Sequence, residues 1–495
     1  MRKLPESWKK KQKSLQQRNR GARLRGREAR LAGQLSTRST LTWQQLKAIA
    51  NEGPVAFCKK ALNFDPTDYQ IEFLSREEEK AQFVALVWCR QSGKSFIVAA
   101  FLLWEAVKHD GWQTAIIGPA FRQSKLVIRK INSFLQKLTK DILVGRKSLR
   151  TRIALINGSI IEAYPCNPDT IRGPTLNRIF ADEFNFVRED EELYDAILFT
   201  LGTTNGGFIA TSTPWSRDHI FYKMCNDSAY SDFKRIHVNW QRALEPNGPL
   251  KKNILEKIRR QFEADPWRWQ REMEAQWAED ELSYFSQKLI TQCIDSELAP
   301  LTDDWTKKLN APLGRYFIGV DFGKKVDYSV VAVVRWDTKE KYAELKGMVR
   351  FPLETSYASV IGMVKVICDK LQRVEKVLVD QTGVGEFITE EMKKANIRSR
   401  TEGIMLTVAS KQEVLGYMKN LMTQQALALY YDRDLIAEIN VERYELTKAG
   451  QIQFGHPRGS HDDRLIALAL AVYATRTPDT GFMGEVVGVK SSYLL

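Results

Sequence analysis

Three groups of residues in this chain have the types and spacing to do chemistry. The first is Trp88-Cys89-Arg90-Gln91-Ser92-Gly93-Lys94-Ser95. An apolar stretch precedes it and a helical pattern follows, which is the setting of a loop that cradles phosphates. Gly93 would let the backbone approach an anion, Lys94 would reach the β- and γ-phosphates of a nucleotide, and Ser95 would ligate Mg²⁺. The helix start would add free N–H groups and a favourable dipole. Trp88 stands where the GxxxxGK[ST] pattern carries its first glycine.

The second group is Arg178-Ile179-Phe180-Ala181-Asp182-Glu183, a short apolar strand ending in two acids. Next to a phosphate loop, Asp182 would hold the nucleotide's Mg²⁺ and Glu183 would orient and deprotonate the attacking water. Standing alone, it would read as an ordinary acidic strand end. Gly207 to Pro214 is a strand running into Thr211-Ser212-Thr213, hydroxyls placed to sense a γ-phosphate, or a common turn. Upstream, Tyr69 is a candidate to stack on adenine and Gln70 to bond its edge; a helix-capping pattern is the alternative.

The third group lies later. Tyr316 to Asp321 and Lys376 to Asp380 are strands ending in acids, and Ser460-His461-Asp462-Asp463 opens a helix. Carboxylates converging in this way would hold two Mg²⁺ or Mn²⁺ about 4 Å apart, as phosphodiester cleavage requires. Successive helical residues point about 100° apart, so one of Asp462 and Asp463 faces the metals directly. Asp463 is the expected ligand, with Asp462 supporting. Asp327 and Glu386 are candidate accessory ligands or solvated acids. His461 reads as a phosphate contact or, better, a helix cap, and Lys411 as a DNA contact or a solvated lysine.

The elements that must position these groups alternate. Ala81 to Val87 reads as a buried strand, Ser95 to Lys108 as a buried helix, Thr114 to Ile117 as a strand and Phe121 to Leu138 as a helix. That order predicts an α/β domain with a mainly parallel sheet. Periodicity weakens before Arg315, where a second alternating region begins. The expected organisation is a basic arm over 1–40, a nucleotide-binding domain over 41–285, a linker over 286–312, a second domain over 313–478 and a tail over 479–495.

Net charge is +14, and thirteen Lys/Arg against two acids between Arg2 and Arg38 supply most of it. Such an arm binds nucleic acid or an acidic protein, or is a solvated tail. The six cysteines form no CxxC pair and the five histidines no HxxxH pair. That argues against zinc or a disulfide framework and for hard cations on carboxylates. No apolar run approaches the roughly 20 residues of a membrane span, and no secretory signal opens the chain; a reduced cytosol and no membrane partner are expected.

Cys89-Arg90-Gln91-Ser92-Gly93-Lys94-Ser95, with an Arg-Gln pair preceding Gly-Lys-Ser, resembles the variant phosphate loop of large terminase subunits of tailed double-stranded DNA viruses. Asp182-Glu183, the coupling-like Thr211-Ser212-Thr213, and Asp321, Asp380 and a late His-Asp-Asp are similar to that family too, over roughly residues 60 to 475. The resemblance implies a P-loop NTPase domain followed by a ribonuclease H-like (RuvC-type) nuclease domain. It gives Arg90 a role in hydrolysis and makes Arg172, in Asp169-Thr170-Ile171-Arg172-Gly173, a candidate to act in trans on a neighbouring subunit. The implied activities are ATP-driven translocation of double-stranded DNA into a procapsid and endonucleolytic cleavage of concatemers. Portal protein and a small terminase subunit are the implied partners, in a homo-oligomeric ring assembled on the procapsid. The implied location is the host cytoplasm and, transiently, the portal vertex, not the mature virion.

Three other classes compete. A two-domain helicase would carry a second nucleotide-binding fold instead of clustered aspartates, and a virion docking protein would need neither group. A DNA-repair or restriction ATPase–nuclease shares both groups and is the alternative reading.

Overall fold

The computed structural model describes residues 41–476, apart from 76–81, 147, 263–264, 279–282, 324–326, 372, 383–384, 396, 398–399, 447–451 and 457–459. The basic arm and the tail lie outside the described residues. Among those described, two compact units form. The first holds residues up to Ile258 with Trp269–Ala278; the second holds Arg259–Arg268 and the residues after Ala278.

The first unit is built on seven strands: β1 (Phe83–Trp88), β2 (Gln113–Ile117), β3 (Arg152–Ala154), β4 (Ile160–Ala163), β5 (Arg178–Asp182), β6 (Gly207–Ser212) and β7 (Phe233–Val238). Their order is β3-β4-β2-β5-β6-β1-β7. All neighbours are parallel except β3, which pairs antiparallel with β4. Continuous apolar runs such as Val84 to Trp88 suit strands covered on both faces, and these residues are buried. Helix α1 (Asp68–Leu74), helix α2 (Lys94–Lys108) and helix α3 (Phe121–Leu135) pack with the sheet, and Ile97 to Val107 of α2 are buried. A bidentate pair between Arg178 and Glu105, at 2.6–3.1 Å, ties β5 to α2. The side chains of both residues are under one-tenth exposed.

The second unit carries β8 (Arg315–Asp321), β9 (Val330–Asp337), β10 (Tyr342–Arg350), β11 (Val374–Asp380), β12 (Arg400–Ile404) and β13 (Leu427–Ala428). They lie in the order β12-β11-β8-β9-β10-β13. Only β9 runs against its neighbours. A hairpin of β14 (Arg443–Leu446) and β15 (Ile452–Gly455) stands apart from this sheet. Helix α4 (Tyr357–Lys370), helix α5 (Val408–Thr423) and helix α6 (Asp463–Tyr473) complete what the site needs. Helix α6 lies directly on β8. A Cβ on Gly319 would sit 2.0 Å from the Ala467 carbonyl and 2.4 Å from the Ala471 nitrogen, so only glycine permits this approach.

The α/β architecture with a mainly parallel first sheet is as expected, and the second sheet is mixed. The stretch expected to be a linker over 286–312 is not one. It contributes a helix, Gln287–Gln292, and Trp305 enters the second unit's core beside Tyr316, Ile318 and Val331. Isolated anchors in irregular chain leave no periodicity to read. No described helix is long and apolar enough to cross a membrane.

Candidate functional sites

The phosphate loop hangs between the end of β1 and the start of α2. Gln91 and Gly93 both adopt left-handed backbone, φ 64° and 83°, which turns the loop on itself and exposes successive N–H groups. Lys94 begins α2 and Ser95 follows it. On the neighbouring strands, β5 delivers Asp182 and Glu183 and β6 delivers Thr211 to Thr213. Glu183 itself sits at φ 52°, a strained conformation for a residue with a side chain.

These residues converge. Lys94 Nζ lies 2.9 Å from Glu183 Oε1, and both side chains are under one-tenth exposed. The Ser95 hydroxyl donates to Asp182 at 3.0–3.2 Å, and Thr211 donates to Asp182 Oδ1 at 2.9 Å. Ser212 Oγ and the Thr213 backbone N–H both donate to Glu183 Oε2 at 3.3 Å. The two acids of β5 are therefore read by the hydroxyl cluster of β6, atom by atom. Arg90 donates its backbone N–H to the Glu272 carbonyl at 2.8 Å, and its guanidinium lies 3.6 Å from that carboxylate. Ser92 is buried, its hydroxyl donating to the Cys89 carbonyl at 2.7 Å.

Two sequence expectations change. Tyr69 is 2% exposed, its ring meets Trp88 edge-on and its hydroxyl donates to the Ser92 carbonyl at 2.8 Å. It props the phosphate loop from within the fold instead of offering a face to adenine. Gln70 accepts from the Thr67 N–H in a capping box, as the alternative reading had it, and its amide approaches Gly93. Arg172 is half-exposed and paired with Asp169 and Glu192 at 3.0 and 3.2 Å, on the surface of the first unit.

In the second unit, β8 and β11 end in Asp321 and Asp380, and α6 begins with Asp463. Burial first, and then the neighbouring Asp463, Asp380, Asp462 and Asp327, raise the Asp321 carboxyl well above the usual carboxylate range. Burial likewise raises Asp380, against the Thr382 hydrogen bond. Asp463 is pushed to about 7 by burial, although the Tyr328 N–H donates to it at 3.2 Å. Clustered, desolvated carboxylates with few counter-charges are a donor set for hard divalent cations, and these residues fit such ions. Asp327, His461 and Asp463 bring ligand atoms within 4.8 Å of one another.

Asp462 has a different environment. Burial alone would raise it, but His456 and Lys411 outweigh that and hold it at about 2. Lys411 donates to Asp462 Oδ2 at 3.1 Å and lies 2.8 Å from Glu442 Oε1. Lys411 is thus not the solvated lysine of the one sequence reading; its ammonium is held by two carboxylates. His461 does not cap α6; its Nδ1 lies 3.6 Å from Asp463 Oδ2. Glu386 is exposed, next to the start of the helix Phe387–Lys394. Glu442 and His456, flanking the hairpin, were not anticipated. A fully buried glutamate leaves no trace in local pattern.

Fold and sites together define a nucleotide-hydrolysing unit joined in one chain to a unit with a carboxylate-cluster nuclease site. Residues 86–292 match the family described as terminase large subunit, T4likevirus-type, N-terminal. The chain is 24% identical over 447 residues to the terminase large subunit of Thermus phage G20c, covering 82% of this chain and 87% of that one. It also resembles the G20c large terminase nuclease at 25% identity, covering 39% of this chain and 97% of that one, with a TM-score of 0.33. A third similar structure is the large terminase of the thermophilic bacteriophage D6E, at 12% identity, 82% and 98% coverage and a TM-score of 0.40. The chain is thus similar to large terminase subunits over most of its length, with the family match on residues 86–292.

Proposed function

We propose that this subunit hydrolyses ATP to drive double-stranded viral DNA into a procapsid and cuts concatemeric DNA with divalent metal. The observation that carries this reading is the pairing, in one chain, of the Lys94–Glu183 and Asp182–Ser95 contacts with the Asp321, Asp380 and Asp463 cluster. ATP phosphates would draw Lys94 away from Glu183, freeing that carboxylate to orient water. Ser95 and Asp182, now bonded to each other, are the residues that would hold Mg²⁺. Because Ser212 and Thr213 bond the same Glu183 oxygen, release of that carboxylate would be felt on β6.

Asp321, Asp380 and Asp463 would hold the nuclease cations, two Mg²⁺ or Mn²⁺ in this proposal. Metal there supplies an activated water and charge stabilisation of the leaving oxygen. DNA contacts should fall mainly on phosphates and weaken with salt. Portal protein and a small terminase subunit are the proposed partners. Arg172 is the proposed trans contact in a ring at the portal vertex, and the host cytoplasm the proposed location.

The test is cleavage of supercoiled plasmid with Mg²⁺ or Mn²⁺ beside ATP turnover, for wild type and Asp321→Ala. The variant should lose cutting by more than about a hundredfold, since even outer-shell changes cost 10–100-fold, and keep its ATPase activity. Wild type that hydrolyses ATP but never cuts would contradict the nuclease assignment.

A further inference from the structure

Lys411 sits in the first turn of α5, with its side chain about one-fifth exposed. Its ammonium has two carboxylates within ion-pairing reach: Glu442 at 2.8 Å and Asp462 at 3.1 Å. Glu442 is 0% exposed, just ahead of the β14–β15 hairpin. His456, just after that hairpin, places Nδ1 3.3 Å from Asp462 Oδ2 and 3.9 Å from Glu442 Oε2. Asp462 therefore has two nitrogen partners, while the adjoining Asp463 is turned to the Tyr328 N–H and lies near Asp327 and His461. Two consecutive aspartates at a helix start thus face two environments.

A carboxylate as buried as Glu442 is costly without a counter-charge. One ammonium shared between Glu442 and Asp462 satisfies both and fixes the direction of Asp462. It also places a positive charge beside the metal-binding cluster, which opposes divalent-cation binding.

We infer that Lys411 is a positioning residue of the nuclease site: it holds Asp462 out of the metal cluster, so that Asp463 is the aspartate of α6 that binds cation. This rests on the nuclease reading above. The ion pair sets which carboxylates are available, and so the strength and geometry of cation binding. Loss of the ammonium removes the opposing charge and leaves Asp462 with His456 as its remaining nitrogen partner, freer to join the cluster as an extra ligand. The residues of the site would then hold cations more tightly while cutting falls.

The experiment is calorimetric titration of the full chain with Mn²⁺ alone, with Asp321→Asn defining the signal that belongs to the cluster. Lys411→Met should bind Mn²⁺ at least about tenfold tighter than wild type, the scale of outer-shell effects on metal affinity. Its kcat for plasmid cleavage should fall while KM for DNA holds. Adding Asp462→Asn to Lys411→Met should bring most of the tightened affinity back towards wild type, and Lys411→Arg should keep the wild-type affinity. Unchanged affinity in Lys411→Met overturns the inference. Should Lys411→Met fail to fold, Asp462→Asn alone decides. The inference expects it to keep Mn²⁺ binding where Asp463→Asn loses it, and equal loss in both overturns it. A wild type with no Mn²⁺ signal that Asp321→Asn removes would overturn the nuclease reading itself, and this inference with it.

Discussion

The two sites treat their acids in opposite ways. In the first unit, Asp182 and Glu183 are each met by the chain's own donors: Ser95 and Thr211 on one, Lys94, Ser212 and the Thr213 N–H on the other. In the second unit, Asp321, Asp380 and Asp463 crowd one another, and their proton affinities rise because burial and like charge act together. The first site is held together by contacts that a nucleotide must displace, so binding there rearranges the protein. The second is held apart by a repulsion that cations relieve, so binding there completes it.

The contrast is sharpest for Lys94→Ala. ATP turnover should fall by more than about a hundredfold, the scale for losing a group that stabilises a transferring phosphoryl. Metal-dependent cutting should stay close to wild type in a plasmid assay. ATPase activity surviving in this variant would erase the distinction between the sites. Gly319→Ala probes the other side. The added methyl meets the α6 backbone, so melting should show a loss of about 1–3 kcal/mol. Because Asp321 and Asp463 would be pushed apart, cutting should drop by up to about a hundredfold, as small misplacements do. ATP turnover measured on the same preparation should hold. A Gly319→Ala protein that cuts normally would show that helix-to-strand spacing does not set the cluster. The smallest effect is expected for Ser212→Ala, which removes one of the donors to Glu183. ATP turnover, measured with and without DNA, should fall by about tenfold, as loss of a hydrogen bond to a charged group allows. An unchanged rate in both conditions would remove Ser212 from the relay.

What could be read from the sequence followed from locality. Gly93-Lys94-Ser95, Asp182-Glu183 and the strand-end Asp321 and Asp380 are short signals, each carried by a single strand and its turn, and their strands and helices lie where the apolar pattern put them. The role of Tyr69 was not legible, because a tyrosine two residues past a helix-capping threonine gives no sign of whether its ring ends up inside or outside. Nor was Lys411, whose partners lie 31 and 51 positions away and one of which is wholly buried. Pairs of that kind are set by tertiary packing, and a lysine that will be buried looks the same in sequence as one that will not. The same holds for Arg259–Arg268, which packs with the second unit although chain order places it within the first.

Strand β6 is stitched on both sides: Thr211 pairs in register with Leu86 of β1 and with Asp182 of β5, and Ser212 with Val87. A strand pinned between the nucleotide loop and the catalytic acids behaves as a fixed beam and cannot slide without tearing both ladders. In the proposed motor, movement delivered from hydrolysis would then start where the ladder stops, at Thr213. Beyond it the Trp215 N–H docks on Asn185 at 2.6 Å and its ring stacks on Phe186. Under the proposed function the segment from Thr213 to Trp215 would be the fulcrum, and the arm of the lever whatever Trp215 carries with it.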